Sequence, residues 1–270
     1  MKRINQLLII LIFSNSFSLF SQDTLPLKAI WTKTFKGNVV GSLDEQENTI
    51  LFDGNELVKL NSKGEISFHQ SIKSLGMISE IDARNPFKIL LFSENQQSIN
   101  FCDNSLTLQN DAIDLANFDI NNVICSSGSD QMDKCWIYSQ DNSILKLISV
   151  NEQQFQSISN IKQLVDLKSI DKIKESNSHL FLLDFSGKVV QLDMYGNLKS
   201  SFDFPEFKTI VIENNNFYVQ LDNIIVVYNT TLRKQVGVIK TPINSIVIGK
   251  KGDYLYFTDE NKLSKFTFSN

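Results

Sequence analysis

Histidine and arginine are nearly missing from this chain. Its two histidines are His69 and His179, and of its three arginines Arg3 lies at the extreme N-terminus, leaving Arg84 and Arg233. Neither histidine has a second histidine or a cysteine at ligand spacing, so no structural or catalytic zinc site is expected. So few guanidinium groups disfavour a sugar- or sulfate-handling enzyme that needs guanidinium clamps. Proline is scarce, four in 270 residues, and no Ser/Gly-rich linker interrupts the sequence, which argues for one folded unit. Gly-x-Ser-x-Gly, phosphate cradles and dinucleotide fingerprints are absent, and no cofactor is expected. Ser127-Gly128-Ser129 reads as part of a solvated hairpin loop. Acidic residues outnumber basic ones by 30 to 26 and no dense basic run occurs, so nucleic acid is not an expected partner.

Cysteine is limited to Cys102, Cys125 and Cys135. In an exported protein three cysteines leave at least one unpaired. Cys125 and Cys135 flank the polar stretch Ser126 to Lys134 and would stand on adjacent strands if that stretch is a hairpin. A disulfide between them and two free thiols are both compatible with that placement. Cys102, in an alternating apolar segment, reads as a small core residue.

Long apolar runs are missing too, except one. Met1-Lys2-Arg3 followed by Leu7 to Phe13 and a small, polar segment to Ser21 has the three regions of a secretory signal. Seven apolar residues fall far short of the roughly 20 that span a bilayer as a helix. The expectation is a signal peptide over residues 1–21, cut at Ser21-Gln22 or, as an alternative, at Ser18-Leu19, and a soluble mature domain over 22–270 with no membrane span.

What is abundant is strand sequence. Twenty phenylalanines fall on alternating positions, and one stretch, His179 to Phe202, lays out three short strands with two tight turns. Leu180 to Asp184 is apolar enough for burial on both faces, and Ser186-Gly187 supplies a hairpin turn before Val189 to Asp193. Asp193-Met194-Tyr195-Gly196 then turns into the more polar Leu198 to Phe202. The most apolar strand recurs at Ile50-Leu51-Phe52, Ile89 to Phe92, Cys135 to Tyr138, Leu180 to Leu183, Phe217-Tyr218-Val219 and Tyr254 to Phe257, at spacings of 39, 46, 45, 37 and 37 residues. An all-strand repeat of about 40 residues is the period of β-propeller blades. Two copies share a longer pattern, Leu60-Asn61-x-x-Gly64-Glu65-Ile66 and Leu192-Asp193-x-x-Gly196-Asn197-Leu198.

The fold class expected is all-β: a single β-propeller of six blades, each of four antiparallel strands. The sixth copy stops two strands past Tyr254, so Leu27 to Phe35, which alternates like a strand, is expected to complete the last blade and close the ring. Seven blades remain an alternative, because Asn117 to Ser126 and Ile158 to Lys174 match the repeat poorly. Those segments are read as inner strands with long connections, although Ile161 to Leu167 has helical spacing.

Sites of chemistry are few. Asp44, Glu45 and Glu47 in one loop, and Asp130 with Asp133 in another, admit a weak calcium site, but solvated turns explain them as well, and no catalytic or metal residue is assigned. A propeller enzyme would draw ionisable groups from several blades to the central channel, whereas a neutral face rich in Asn and Phe would favour a protein partner. Scarce His and Arg point to the second, a non-catalytic interaction propeller, with a periplasmic enzyme or carbohydrate-binding propeller as the alternative.

The Ser21-Gln22 signal end, the Asn/Phe/Ile bias and the Asx-x-x-Gly blade turns resemble those of the small exported β-propellers of Bacteroidota. Within that group the chain is similar to the propeller subunit that plugs the periplasmic mouth of the type 9 secretion translocon. The resemblance implies a periplasmic location, an outer-membrane β-barrel or secretion component as partner, and a role in sealing a wide pore.

Overall fold

Alternation, turn chemistry and burial agree first at His179 to Asp203. Here β15 (His179–Asp184) and β16 (Lys188–Asp193) pair antiparallel, and β17 (Leu198–Asp203) pairs with β16. Asp193 Oδ1 accepts the backbone N–H groups of Tyr195 and Asn197, both at 2.9 Å, and Gly196 follows at φ 89°. Asn61 Oδ1 does the same for Lys63 and Glu65 at 3.0 Å, with Gly64 at φ 79°. In both turns the side chain satisfies donors that strand pairing leaves free, and glycine takes a conformation that a Cβ would penalise.

The structure is a computed structural model that describes residues 25–268 apart from 73–74, 110, 119, 132 and 150–153. The expected signal segment and its cleavage point lie outside the described residues.

Strand β1 (Leu27–Thr34) opens the described chain. Blade 1 then takes β2 (Val40–Leu43), β3 (Thr49–Phe52), β4 (Leu57–Leu60) and β5 (Ile66–Gln70). Blade 2 takes β6 (Glu80–Asp82), β7 (Ile89–Ser93), β8 (Ser98–Cys102) and the short β9 (Ile113–Asp114). Blade 3 takes β10 (Val123–Gly128), β11 (Lys134–Ser139), β12 (Ile144–Ser149) and β13 (Gln154–Ile158). Blade 4 consists of β14 (Lys172–Ser176) and β15 to β17. Blade 5 takes β18 (Thr209–Glu213), β19 (Asn216–Gln220), β20 (Ile224–Asn229) and β21 (Lys234–Lys240). Blade 6 takes β22 (Ile246–Lys251), β23 (Tyr254–Asp259) and β24 (Lys262–Phe268), and β1 is its fourth strand.

The ring therefore has six four-stranded antiparallel blades and closes as expected: β1 pairs with β24 from Leu27↔Phe268 to Thr34↔Lys262. Trp31 adds a lateral tie, its ring over Gly64 of blade 1 and its Nε1 donating to the Ser62 carbonyl at 3.2 Å. Helical spacing at Ile161 to Leu167 yields one turn, α1 (Ile161–Leu164), in the connection from blade 3 to blade 4. No helix among the described residues is long and apolar enough to cross a membrane.

The core is a series of wedges between neighbouring blades. The phenylalanines fill them: Phe217 of β19 meets Phe202 at 5.0 Å, Phe181 at 5.6 Å and Phe204 at 6.3 Å between ring centroids, all edge to face. Two expectations need correction. Cys125 and Cys135 stand on adjacent strands, but Cys125 pairs with Tyr138 and Cys135 with Gly128. An offset of three residues puts the thiols on opposite faces of the blade, Cys125 in the wedge with Trp136 and Cys135 in the wedge with Ile137, and both are free. Ser127 and Gly128 belong to strand β10 and are not loop residues.

Candidate functional site: the central channel

Each blade enters the ring by its first strand, and β2, β6, β10, β14, β18 and β22 stand around the axis. They line a cavity of about 300 Å³. Two of these strands carry mirrored triplets, Glu80-Ile81-Asp82 in β6 and Lys172-Ile173-Lys174 in β14. Because side chains alternate along a strand, the isoleucines go into the blade wedges and the charged residues reach the channel. Both Ile81 and Ile173 are buried in core clusters.

Blade 3 lies between these two blades, and its first strand is held by them. Glu80 Oε1 pairs with Lys172 Nζ at 3.0 Å, and Oε2 accepts the backbone N–H of Ser126 at 2.9 Å. Asp82 Oδ2 accepts the N–H of Gly128 at 2.9 Å and the hydroxyl of Ser127 at 3.2 Å. Arg84 grips Asp82 through Nε and Nη2, each at 3.0 Å from a carboxylate oxygen, donates to the Gly128 carbonyl at 2.6 Å and also bonds the Glu175 carbonyl. Glu175 points away from the channel, where Trp136 Nε1 and the Asp130 N–H each donate to its carboxylate at 2.8 Å. On the opposite side the lining is apolar, with Val211 of β18 and Ile248 of β22. Towards one rim, Lys250 pairs with Glu213 at 2.5 Å.

Protonation follows from these contacts. Burial pushes the Asp82 carboxyl up, but the charge and hydrogen bonds of Arg84 outweigh it and bring the pKa down to about 2. Glu80 raises the pKa of Lys172 against the effect of burial. Lys174 goes the other way: desolvation first, then the nearby Arg84 charge, lower it to about 8. Among the described residues no carboxylate lies within ion-pair distance of its amine. Pairing Lys172 with Glu80, Arg84 with Asp82 and Lys250 with Glu213 leaves Lys174 without an ion pair in the channel wall, while Glu45 and Lys251, both exposed, also line the cavity without one among the described residues.

The channel is therefore not neutral. Its ionisable groups converge from several blades, and all of those in the channel wall but Lys174 are spent on one another. Ser127 has Asp82 within hydrogen-bond reach, but a carboxylate with a pKa of about 2, clamped by an arginine, is a poor base for a serine.

The other sequence candidates lie elsewhere. His69 is exposed on the outer strand β5, and His179 starts β15 with Nδ1 at 2.8 Å from the Asn177 carbonyl. Asp44 caps its own turn, accepting the N–H groups of Gln46 and Asn48 at 2.8 and 2.7 Å, while Glu47 Oε1 meets Tyr256 at 2.7 Å and Lys265 at 2.6 Å. Asp133 pairs with Lys88, and Asp130 lies 3.8 Å from Arg84. No group of three His, Cys, Asp or Glu that could hold a metal ion occurs among the described residues.

No protein-family model matches the chain, and no curated protein matches it. Solved structures do. The WD40 domain of Neurospora crassa Pan2 superposes with a TM-score of 0.63 at 9% identity, over 90% of this chain and 96% of that one. Virginiamycin B lyase from Staphylococcus aureus gives a TM-score of 0.58 at 11% identity, over 90% and 100% of the two chains. A streptogramin B lyase gives 0.56 at 12%, over 90% and 87%. At such identities the likeness is one of fold alone: a WD40 domain and two lyases share it, so fold does not decide function.

Proposed function

We propose that this chain is a non-catalytic, exported propeller that works by binding another protein with one face of its disc, at the periplasmic side of an outer-membrane secretion channel. The observation that carries the binding reading is a set of exposed apolar side chains on the connections between blades. Met77 is 57% exposed, Leu164 65% and Ile243 78%, and they lie in the connections from β5 to β6, β13 to β14 and β21 to β22. All three connections join an outer strand to the next inner strand, so they emerge on the same end of the ring. Ile246, the first residue of β22, adds a partly exposed side chain at the channel mouth on that end. Apolar side chains distributed around a rigid rim suit a large flat partner better than a small molecule. Charges that neutralise each other within the channel support the absence of turnover. The outer-membrane partner and the plugging role rest on the resemblance in signal end, composition and blade turns.

The test is co-purification from gently solubilised envelope. Tagged protein should bring down an outer-membrane component, and the combined variant Met77→Asp, Leu164→Asp, Ile243→Asp should lose it while remaining folded. Phe87→Asp with Leu232→Asp, on the opposite end, should not. Isolation of the unmodified protein as a lone monomer, or saturable turnover of a sugar, would overturn the proposal.

A further inference from the structure

The unmatched amine of Lys174 faces a cavity whose far wall is apolar. From this juxtaposition we infer that the channel holds a binding site for a small monocarboxylate with a branched aliphatic body, its carboxylate on Lys174 and its apolar end against Val211 and Ile248.

Three features of the channel define the ligand. Its charge must be negative, because Lys172, Arg84 and Lys250 already have carboxylate partners and Lys174 has none. One negative charge suffices, since a second would meet Glu80 and Asp82, which stand on the neighbouring wall of the same cavity. The body must be apolar and short: Val211 and Ile248 offer no hydrogen bond, and about 300 Å³ is at the small end of ligand cavities. A carboxylate on Lys174 would also reverse the depression of its amine, since an opposite charge favours the charged form. The groups that set this titration are Arg84, Asp82 and Glu80 from blade 2 and Lys172 on its own strand.

Isovalerate, acetate and inorganic phosphate serve as probes on the isolated full chain, so the outcome is independent of the envelope partner. Calorimetry should show saturable binding of isovalerate below about 10 mM, with acetate weaker by about tenfold because it leaves the apolar wall unfilled. Lysine side-chain NMR should move the Lys174 titration upward on adding isovalerate. Lys174→Met should abolish binding, and Lys251→Gln, at the channel rim, should leave it unchanged. Absence of saturation, retention of binding in Lys174→Met, equal loss in Lys251→Gln, or phosphate binding as tightly as isovalerate would each overturn the site. Failure of this test leaves the protein-binding reading standing, and failure of the envelope test leaves this one standing.

Discussion

At the scale of single residues, Lys174 is the position where fold and site are in tension. Its amine titrates near 8 in the folded chain against an ordinary value of 10.5, so between those values the unfolded chain binds a proton that the folded chain does not. Stability from this group therefore rises with pH across that window, and below about pH 8 the full penalty of a desolvated, unpaired charge is present. Lys174→Met should raise the melting temperature at pH 7, and the gain should shrink as the pH approaches 10. Asp82 gives the same slope in a lower window, but there it is the charged form that stabilises the fold. Its folded pKa of about 2 lies below the ordinary 3.8, so its contribution is present above 3.8 and is lost as the pH falls towards 2. Thermal melts of the two proteins across this range check both signs, and a lower melting temperature for Lys174→Met at pH 7 would contradict the account. The triplets that build this site, Glu-Ile-Asp and Lys-Ile-Lys, are charge alternating with isoleucine, a short pattern that does not stand out among the other strand sequences. Their pairing is not legible there either, because it joins blade 2 to blade 4 across more than 90 residues of chain.

At the scale of the element, local chemistry was legible and long-range satisfaction was not. Turns with Asx first and glycine fourth stood out at Asn61 and Asp193. Two further turns have identical hydrogen bonding without the glycine: Asp44 with Glu47 in the fourth position at φ 69°, and Asp103, whose Oδ1 accepts the N–H groups of Ser105 and Thr107 at 2.8 and 3.0 Å, with Leu106 there at φ 67°. Leu106 is wholly buried, so apolar burial offsets the backbone cost there. Strand β10 was cut short at Ser126 for a related reason. Ser-Ser-Gly has the composition of a loop, but its backbone pairs with β11 on one side and, on the channel side, is held by the carboxylates of Glu80 and Asp82 and by Arg84, all supplied from another blade. The aromatic wedges, in contrast, follow directly from strand alternation. Phe217→Ala would empty the centre of the wedge between blades 4 and 5, where three phenylalanines meet it, and should cost about 3–5 kcal/mol, or about 10 °C in melting temperature. Phe68→Ala, on the exposed outer strand β5, should fall within about 0.5 kcal/mol of the parent. Calorimetric melts separate the two, and equal losses would mean that the wedges do not carry the core.

At the scale of the whole molecule, the decisive feature is that the two ends of the chain share one blade. Six repeats of strand sequence set the blade count, and the missing strand of the last copy pointed to its donor, because an open edge on β24 would leave a row of unpaired backbone groups. Closure is built from more than pairing. Phe35 and Val39 donate backbone hydrogen bonds to Asn261 and Glu260, each at 2.7 Å, so the chain leaving β1 stays stitched to blade 6 before it enters blade 1. Ahead of β1, Leu25 bonds the Val238 carbonyl of blade 5 at 3.2 Å. The segment thus touches blades 5, 6 and 1, and the disc gains rigidity from that overlap. Deleting Leu27–Thr34 should replace one cooperative unfolding transition by a broad one and expose β24 to edge-to-edge association, seen as concentration-dependent aggregation. A circular permutant separates loss of the strand from loss of its late, long-range docking. Since Leu27 pairs with Phe268, a short turn can join β24 to β1, with new ends opened between β17 and β18. That permutant keeps every blade contact while making the closing hairpin local, so it should fold faster than the parent with nearly unchanged stability. A deletion variant that stays monomeric and unfolds in one sharp transition would show that the ring does not depend on this strand for its closure.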